Sequence, residues 1–184
     1  MHYKSFTKIL VVFLFALFIY GCTEEETTEP TDENTLLYSS FEKNGKFSSD
    51  GWSLPALADS SNDVPTGGGS FSLQLEASQP PETYAYKNVP VKTQFNNYKL
   101  TFWAKSSGVT SGINGKAILS LLRNGSVIKS SSILVDDITW KSYSIQDTFS
   151  VASGDSFRVE LTAGISQLFS GKSYYDLCRL YGID

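Results

Sequence analysis

The sequence has one histidine, His2, and it sits at the extreme N-terminus. That removes the residue on which Ser-His triads, most zinc sites and much acid–base chemistry depend. Two cysteines, Cys22 and Cys178, are too few for a disulfide framework. Charge is also scarce, at 18% of residues, whereas aromatic residues reach 14%. A disordered chain shows the opposite balance. Acids outnumber bases, 19 to 15. No basic excess exists to neutralise phosphates, so nucleic-acid binding through the backbone is excluded as an expectation. The chain lacks a Gly-x-Ser-x-Gly elbow, and Gly67-Gly68-Gly69 precedes a strand-like run rather than a helix. Paired carboxylates would be the remaining route to glycoside chemistry, but Asp136 and Asp137 are adjacent and on a strand would face opposite sides. No catalytic set is expected.

What is present begins with an address. Lys4 and Lys8 form a basic front, and Ile9 to Tyr20 is an unbroken apolar run of 12 residues. A spanning helix needs about 20, so the run fits the core of a signal peptide, residues 1–21. It ends in Ile19-Tyr20-Gly21-Cys22, which resembles a bacterial lipobox. The resemblance implies cleavage before Cys22 and lipid on its thiol, with Tyr20 bulky for its position. Acyl chains anchor because each buried CH₂ contributes about 0.8 kcal/mol. Residues 22–35 hold six acids and no large apolar side chain, so they are expected to form a disordered acidic tether. The glutamates after Cys22 also resemble the surface-export signal of Bacteroidetes-type lipoproteins; a plain solvated spacer accounts for them equally well. An outer-membrane or cell-surface location follows as an expectation. Without these segments, residues 36–184 carry 13 bases and 13 acids. A neutral domain suits neutral partners better than polyanions.

Residues 36–184 show period-two alternation. Phe71, Leu73 and Leu75, Tyr98 to Ala104, Leu119 and Leu121, Tyr143 and Ile145, and Phe157 to Leu161 each fall on one phase. Asn124-Gly125 between two apolar runs signals a tight hairpin. A polar loop is expected to run from Asp59 to Gly69. The pattern predicts an all-β sandwich or jelly roll of about ten short antiparallel strands. A chain of this length needs neither disulfide nor metal to be stable.

The order of the strands carries a further resemblance. YSSFE (38–42), SFSLQLE (70–76), YKLTFWAKS (98–106), TWKSYSIQDTF (139–149), SFRVELTAG (156–164) and YYDLCRL (174–180) follow one another. The series resembles carbohydrate-binding modules of the galactose-binding-like jelly-roll group, of the kind appended to xylanases and cellulases, over essentially all of 36–184. The resemblance implies non-catalytic binding of a polysaccharide or oligosaccharide. It also implies a structural calcium held by Glu42 and Asp176. Independently, Asp176 shares a phase with Cys178 and Leu180; if Leu180 faces the core, the carboxylate is buried and needs a partner. Calcium, a lysine or arginine, or backbone N–H groups would each serve. Cys178 is expected to be a small buried hydrophobe.

Sugars offer flat C–H faces to aromatic rings and hydroxyls to polar groups. Trp103 lies on the polar phase of its strand and is the leading platform. Tyr84 and Tyr86 share a face and either line a groove or plug the core. Trp52, at a loop-to-strand junction, either binds or packs. Arg123, beside the hairpin turn, either bonds hydroxyls or is simply exposed. Trp140 fits the packing tryptophan of the resembled group. The alternative is a structural or protein-interaction module that uses the same sheet face against a partner.

Overall fold

The computed structural model describes residues 33–77, 84–107, 114–164 and 171–183. The expected signal peptide, the lipidation site Cys22 and the tether up to Asp32 lie outside the described residues. Twelve strands follow in order among the described residues. They are β1 (Thr35–Ser39), β2 (Glu42–Lys43), β3 (Lys46–Phe47), β4 (Ala58–Ser61), β5 (Ser72–Ala77) and β6 (Tyr84–Pro90). Then come β7 (Asn97–Ser107), β8 (Gly115–Arg123), β9 (Ser126–Val135), β10 (Lys141–Thr148), β11 (Ser156–Thr162) and β12 (Gly171–Ile183). β1 thus begins on the last residue of the expected tether. β4 takes up Asp59 to Ser61, so the polar loop is shorter than its composition indicated: a polar run at a sheet edge pairs on one side only and does not need an apolar face.

The strands build an all-β jelly-roll sandwich. One sheet runs β10-β7-β12-β5-β4, with β1 joined to the far half of β12. The other runs β6-β11-β8-β9. All pairings are antiparallel. The period-two phases explain the core directly. Tyr98, Leu100, Phe102 and Ala104 of β7 face inward, as do Leu119 and Leu121 of β8 and Phe157, Val159 and Leu161 of β11. These side chains form one buried cluster between the sheets. Aromatic rings tie it together: Tyr98 meets Phe157 at 4.5 Å between centroids, and Phe102 stacks on Tyr143 at 5.7 Å. The β8–β9 hairpin turns at Asn124 (φ 51°) and Gly125 (φ 79°), a left-handed pair that matches the strand twist.

One strand breaks the simple alternation. In β12 the register against β7 shifts between Asp176 and Arg179, and Leu177 adopts φ 50°. Before this bulge Tyr175 lies opposite Ala104, facing the core; after it Leu180 lies opposite Leu100, also facing the core. Asp176 lies opposite Trp103, on the outer side. The shared phase of Asp176 and Leu180 is therefore broken by one extra residue. Asp176 is nonetheless fully buried, because the loop 62–70 covers it.

Candidate functional site

The two sheets present two outer faces, and the five aromatic and basic candidates do not converge on either. Trp52 belongs to the core. It is buried against Phe41 at 5.4 Å, and its indole Nε1 donates to Ser39 Oγ at 3.2 Å. A ring so enclosed cannot offer a face to a ligand, which corrects its place among the binding candidates. Arg123 is also committed. Its Nε and one terminal nitrogen donate to the two oxygens of Asp155 at 2.9 and 2.8 Å, and Asp155 is buried. That fork, with a further bond to the Ser150 carbonyl, closes the loop before β11 and commits Nε and one terminal nitrogen of Arg123 to the fold, away from the tyrosines. Trp103 is half-buried on the outer side of the sheet that carries β7. Tyr84 and Tyr86 lie on the outer side of the other sheet. These aromatics cannot line one groove.

The face around Trp103 is crossed by the loop 62–70. Trp140, half-buried rather than packed in the core, donates from Nε1 to Asp63 Oδ1 at 2.9 Å. Lys105 bonds the other oxygen of Asp63 and lies over the rings of Trp140 and Tyr174, 5.4 and 5.0 Å from their centroids. The Lys105 hydrogen bond holds the Asp63 carboxyl below the usual range, against a smaller opposing effect of burial. Ser72 Oγ donates to the Asp63 carbonyl at 2.6 Å. Aromatic and charged groups here clamp the loop to the sheet.

Under that loop sit Glu42 and Asp176. Ser70 N–H donates to Glu42 Oε2 at 2.6 Å, and Leu177 N–H to Asp176 Oδ1 at 2.7 Å. Asp176 Oδ2 is buried with no hydrogen-bond partner. Burial pushes the Asp176 carboxyl up to about 8; the Leu177 N–H opposes this, and the charge of Glu42 adds to it. Among the described residues no lysine or arginine forms an ion pair with either acid. Two carboxylates of the same sign, one orphaned oxygen and no nitrogen ligand are the chemistry of a hard cation. Among the described residues no group of three or more His, Cys, Asp or Glu gathers, so any further oxygens would come from backbone or water. Cys178 follows on the same strand, β12, and is buried in the core as expected of a small hydrophobe; burial pushes its thiol well up.

The outer face of the β6-β11-β8-β9 sheet is different in shape. Its centre is recessed: Thr162 is 1% and Ser120 2% exposed, while Tyr84 on the β6 rim is 43% and Leu134 on the β9 rim 55%. Three rows cross it. Tyr84 lies beside Thr162, then Lys116, then Leu134. Tyr86 lies beside Glu160, then Ile118, then Ser132. Asn88 lies beside Arg158, then Ser120, then Ser130. The Tyr84 and Tyr86 rings meet edge to face at 6.1 Å. The Arg158 guanidinium sits over Tyr86 at 5.1 Å, donates from Nε to Asn88 Oδ1 at 3.0 Å, and lies 4.0 Å from Glu160. Thr162 Oγ1 on the floor is buried without a hydrogen-bond partner. A trough results, with an aromatic wall of Tyr84 and Tyr86 and the polar side chains of Asn88, Arg158 and Glu160 along it. Arg158, Glu160 and Thr162 were not singled out from the sequence. Their alternation with Phe157, Val159 and Leu161 marks them as outward-facing, but only the register with β6 sets them beside the tyrosines.

No family model matches the chain, and no curated protein matches it. Solved structures match in fold. The CBM22-1 xylan-binding domain of Paenibacillus barcinonensis Xyn10C superposes with a TM-score of 0.59 at 17% identity, covering 82% of this chain and 96% of that one. A family 16 carbohydrate-binding module gives 0.52 at 20% identity, over 71% and 90%. The enzymatically active domain of bacteriophage CBA120 tailspike protein 4 gives 0.58 at 16% identity, over 73% of this chain. The match covers only 20% of that tailspike chain. At these identities the likeness is one of fold, the jelly-roll sandwich.

Proposed function

We propose that the trough on the β6-β11-β8-β9 sheet binds a neutral glycan chain without cleaving it. The observation that carries this is the Tyr84–Tyr86 wall standing beside the polar cluster of Asn88, Arg158 and Glu160. Exposed rings accept the C–H face of a pyranose. Arg158, Glu160 and Asn88 are placed to bond its hydroxyl rim. The modules of like fold whose names record carbohydrate binding support the same reading. A calcium ion at Glu42 and Asp176 would cancel the charge of those carboxylates and fix the loop 62–70; its role is structural, since that loop covers the opposite sheet. The lipobox-like Cys22 supports a lipid anchor at the bacterial outer membrane or cell surface, where tethering keeps even a weakly bound polysaccharide close.

Affinity electrophoresis of residues 32–184, the compact unit that holds the whole described core, tests the reading. The panel begins with xylan and extends to other neutral polysaccharides. Retardation by at least one neutral polymer is expected. Free migration through all of them would overturn the glycan reading and leave the same face to a protein partner.

A further inference from the structure

β9 ends its sheet, and among the described residues no strand pairs with its outer side. An exposed edge of this kind is ordinarily shortened, interrupted by proline or guarded by charge. β9 is 10 residues long, has no proline and has one charged side chain, Lys129. That charge does not guard the edge. Lys129 Nζ is bonded within its own chain to Asp147 Oδ1 at 2.7 Å and to the Thr148 carbonyl at 2.6 Å. Six large apolar side chains are exposed among the described residues. Four of them, Val127, Ile128, Leu134 and Ile138, lie on β9 or the turn after it. Apolar surface is thus concentrated where a sheet could be extended.

The sequence of the edge names the occupant. Residues 127–135 read VIKSSSILV, nearly symmetric about Ser131. Val127 answers Val135, Ile128 answers Leu134, and Ser130 answers Ser132. Two identical antiparallel strands form an isologous pair, in which residue i faces j and j faces i. With Ser131 on the two-fold axis, small serines meet at the centre and each Ile128 meets a Leu134 at either end. The ladder with β8 shifts where Lys129 faces Leu121 and Val127 faces Leu122. Regular pairing between copies therefore spans Lys129 to Ile133 and is closed at both ends by the Ile128–Leu134 contacts.

We propose that β9 pairs antiparallel with β9 of a second copy of this chain, with Ser131 on the axis. The two four-stranded sheets then become one. Residues facing each other share a phase in this register, so both troughs open on the same side. A polymer that bridged them would be held by two sites at once. The pairing itself does not depend on the glycan reading.

Sedimentation equilibrium of residues 32–184 tests it. The expected mass is that of a dimer dissociating on dilution. Ile128 is exposed, so Ile128→Glu leaves the fold intact. It places a carboxylate against the partner's apolar side chain, and should raise the dimer dissociation constant by about tenfold or more. Adding Leu134→Lys sets the introduced carboxylate of one copy against the introduced ammonium of the other at both ends, and should recover most of that loss. A monomer mass at every concentration would overturn the proposal. So would a dimer indifferent to Ile128→Glu, or a double variant no tighter than the single. Glycan retention by a strictly monomeric protein would leave the trough reading standing while this one fell.

Discussion

The carboxylates of Glu42 and Asp176 meet beneath two consecutive glycines. A Cβ on Gly68 would collide with Asp176 Oδ2, and a Cβ on Gly69 with Glu42 Oε2. The loop therefore approaches both acids more closely than any other residue would permit, and it does so with one oxygen of Asp176 left unpaired. Without a cation, burial holds the Asp176 carboxyl protonated at neutral pH, at a cost to folding; with one, both acids are charged and become a staple between the first strands, the loop and the last strand.

Calcium should therefore stabilise the fold. A ligand at 100 times its Kd contributes about 2.7 kcal/mol, which in a chain of this size raises Tm by roughly 5–10 °C. Thermal melts in calcium and in chelator measure it. Asp176→Asn, which removes the charge but keeps the shape, should abolish the difference. An unchanged midpoint in the parent protein would remove the cation from the account.

The glycines make a separate prediction. Gly69 adopts φ +70°, where a side chain is strained, and has Glu42 in the way. Gly69→Ala should destabilise the protein by about 1–3 kcal/mol. Gly67→Ala is the control: φ is +81° there too, but nothing lies within 4 Å of the added carbon. Its smaller loss isolates the backbone term, and denaturant titration of both variants reads the difference. Equal losses would show that Glu42 yields freely.

The link between β9 and β10 should fail in acid. The Lys129 hydrogen bond, with help from Ser131 and Thr148 and against burial, holds the Asp147 carboxyl down at about 2, from an ordinary 3.8. A carboxyl with a lowered value stabilises fully above its unfolded value and loses that contribution as pH falls through the folded one. Asp147→Asn should then be less stable than the parent at pH 6, by about 1 kcal/mol or less given the solvent around the pair. The two should converge near pH 2. A constant gap across that range would assign the loss to packing instead.

The sandwich was legible because alternation is a local signal. Of the inward phases named from the sequence every side chain is buried except Phe71, which is half-buried just before β5, and the Asn124-Gly125 turn needs only its own two residues. Asp176 shows where such reading ends. Its burial followed from its phase with Leu180, yet the bulge at Leu177 puts it on the opposite side, covered by a loop rather than by the core. The site was harder still. Outward residues gain meaning only from their neighbours across strands, and Tyr86 beside Glu160 is a fact of register. In sequence Trp103 and Tyr84 are both aromatics within alternating runs; only the topology assigns them to different sheets.

That separation allows the two faces to be tested against each other. Tyr86 carries the Arg158 guanidinium on one side and the edge of Tyr84 on another, so its ring anchors the trough wall. Tyr86→Ala should lower affinity for the retained polysaccharide at least about tenfold, or about 1.4 kcal/mol. Trp103→Ala removes a larger ring, but from the face that the loop 62–70 crosses, and should leave affinity unchanged. Because both side chains point away from the core, neither variant should lose the fold, and far-UV circular dichroism checks this. If Trp103→Ala abolishes binding while Tyr86→Ala does not, the ligand lies on the β7 sheet, and the loop clamped by Asp63, Lys105 and Trp140 becomes part of its site. If both variants bind as the parent does, neither aromatic cluster is the platform, and the polymer is held by contacts outside these two faces.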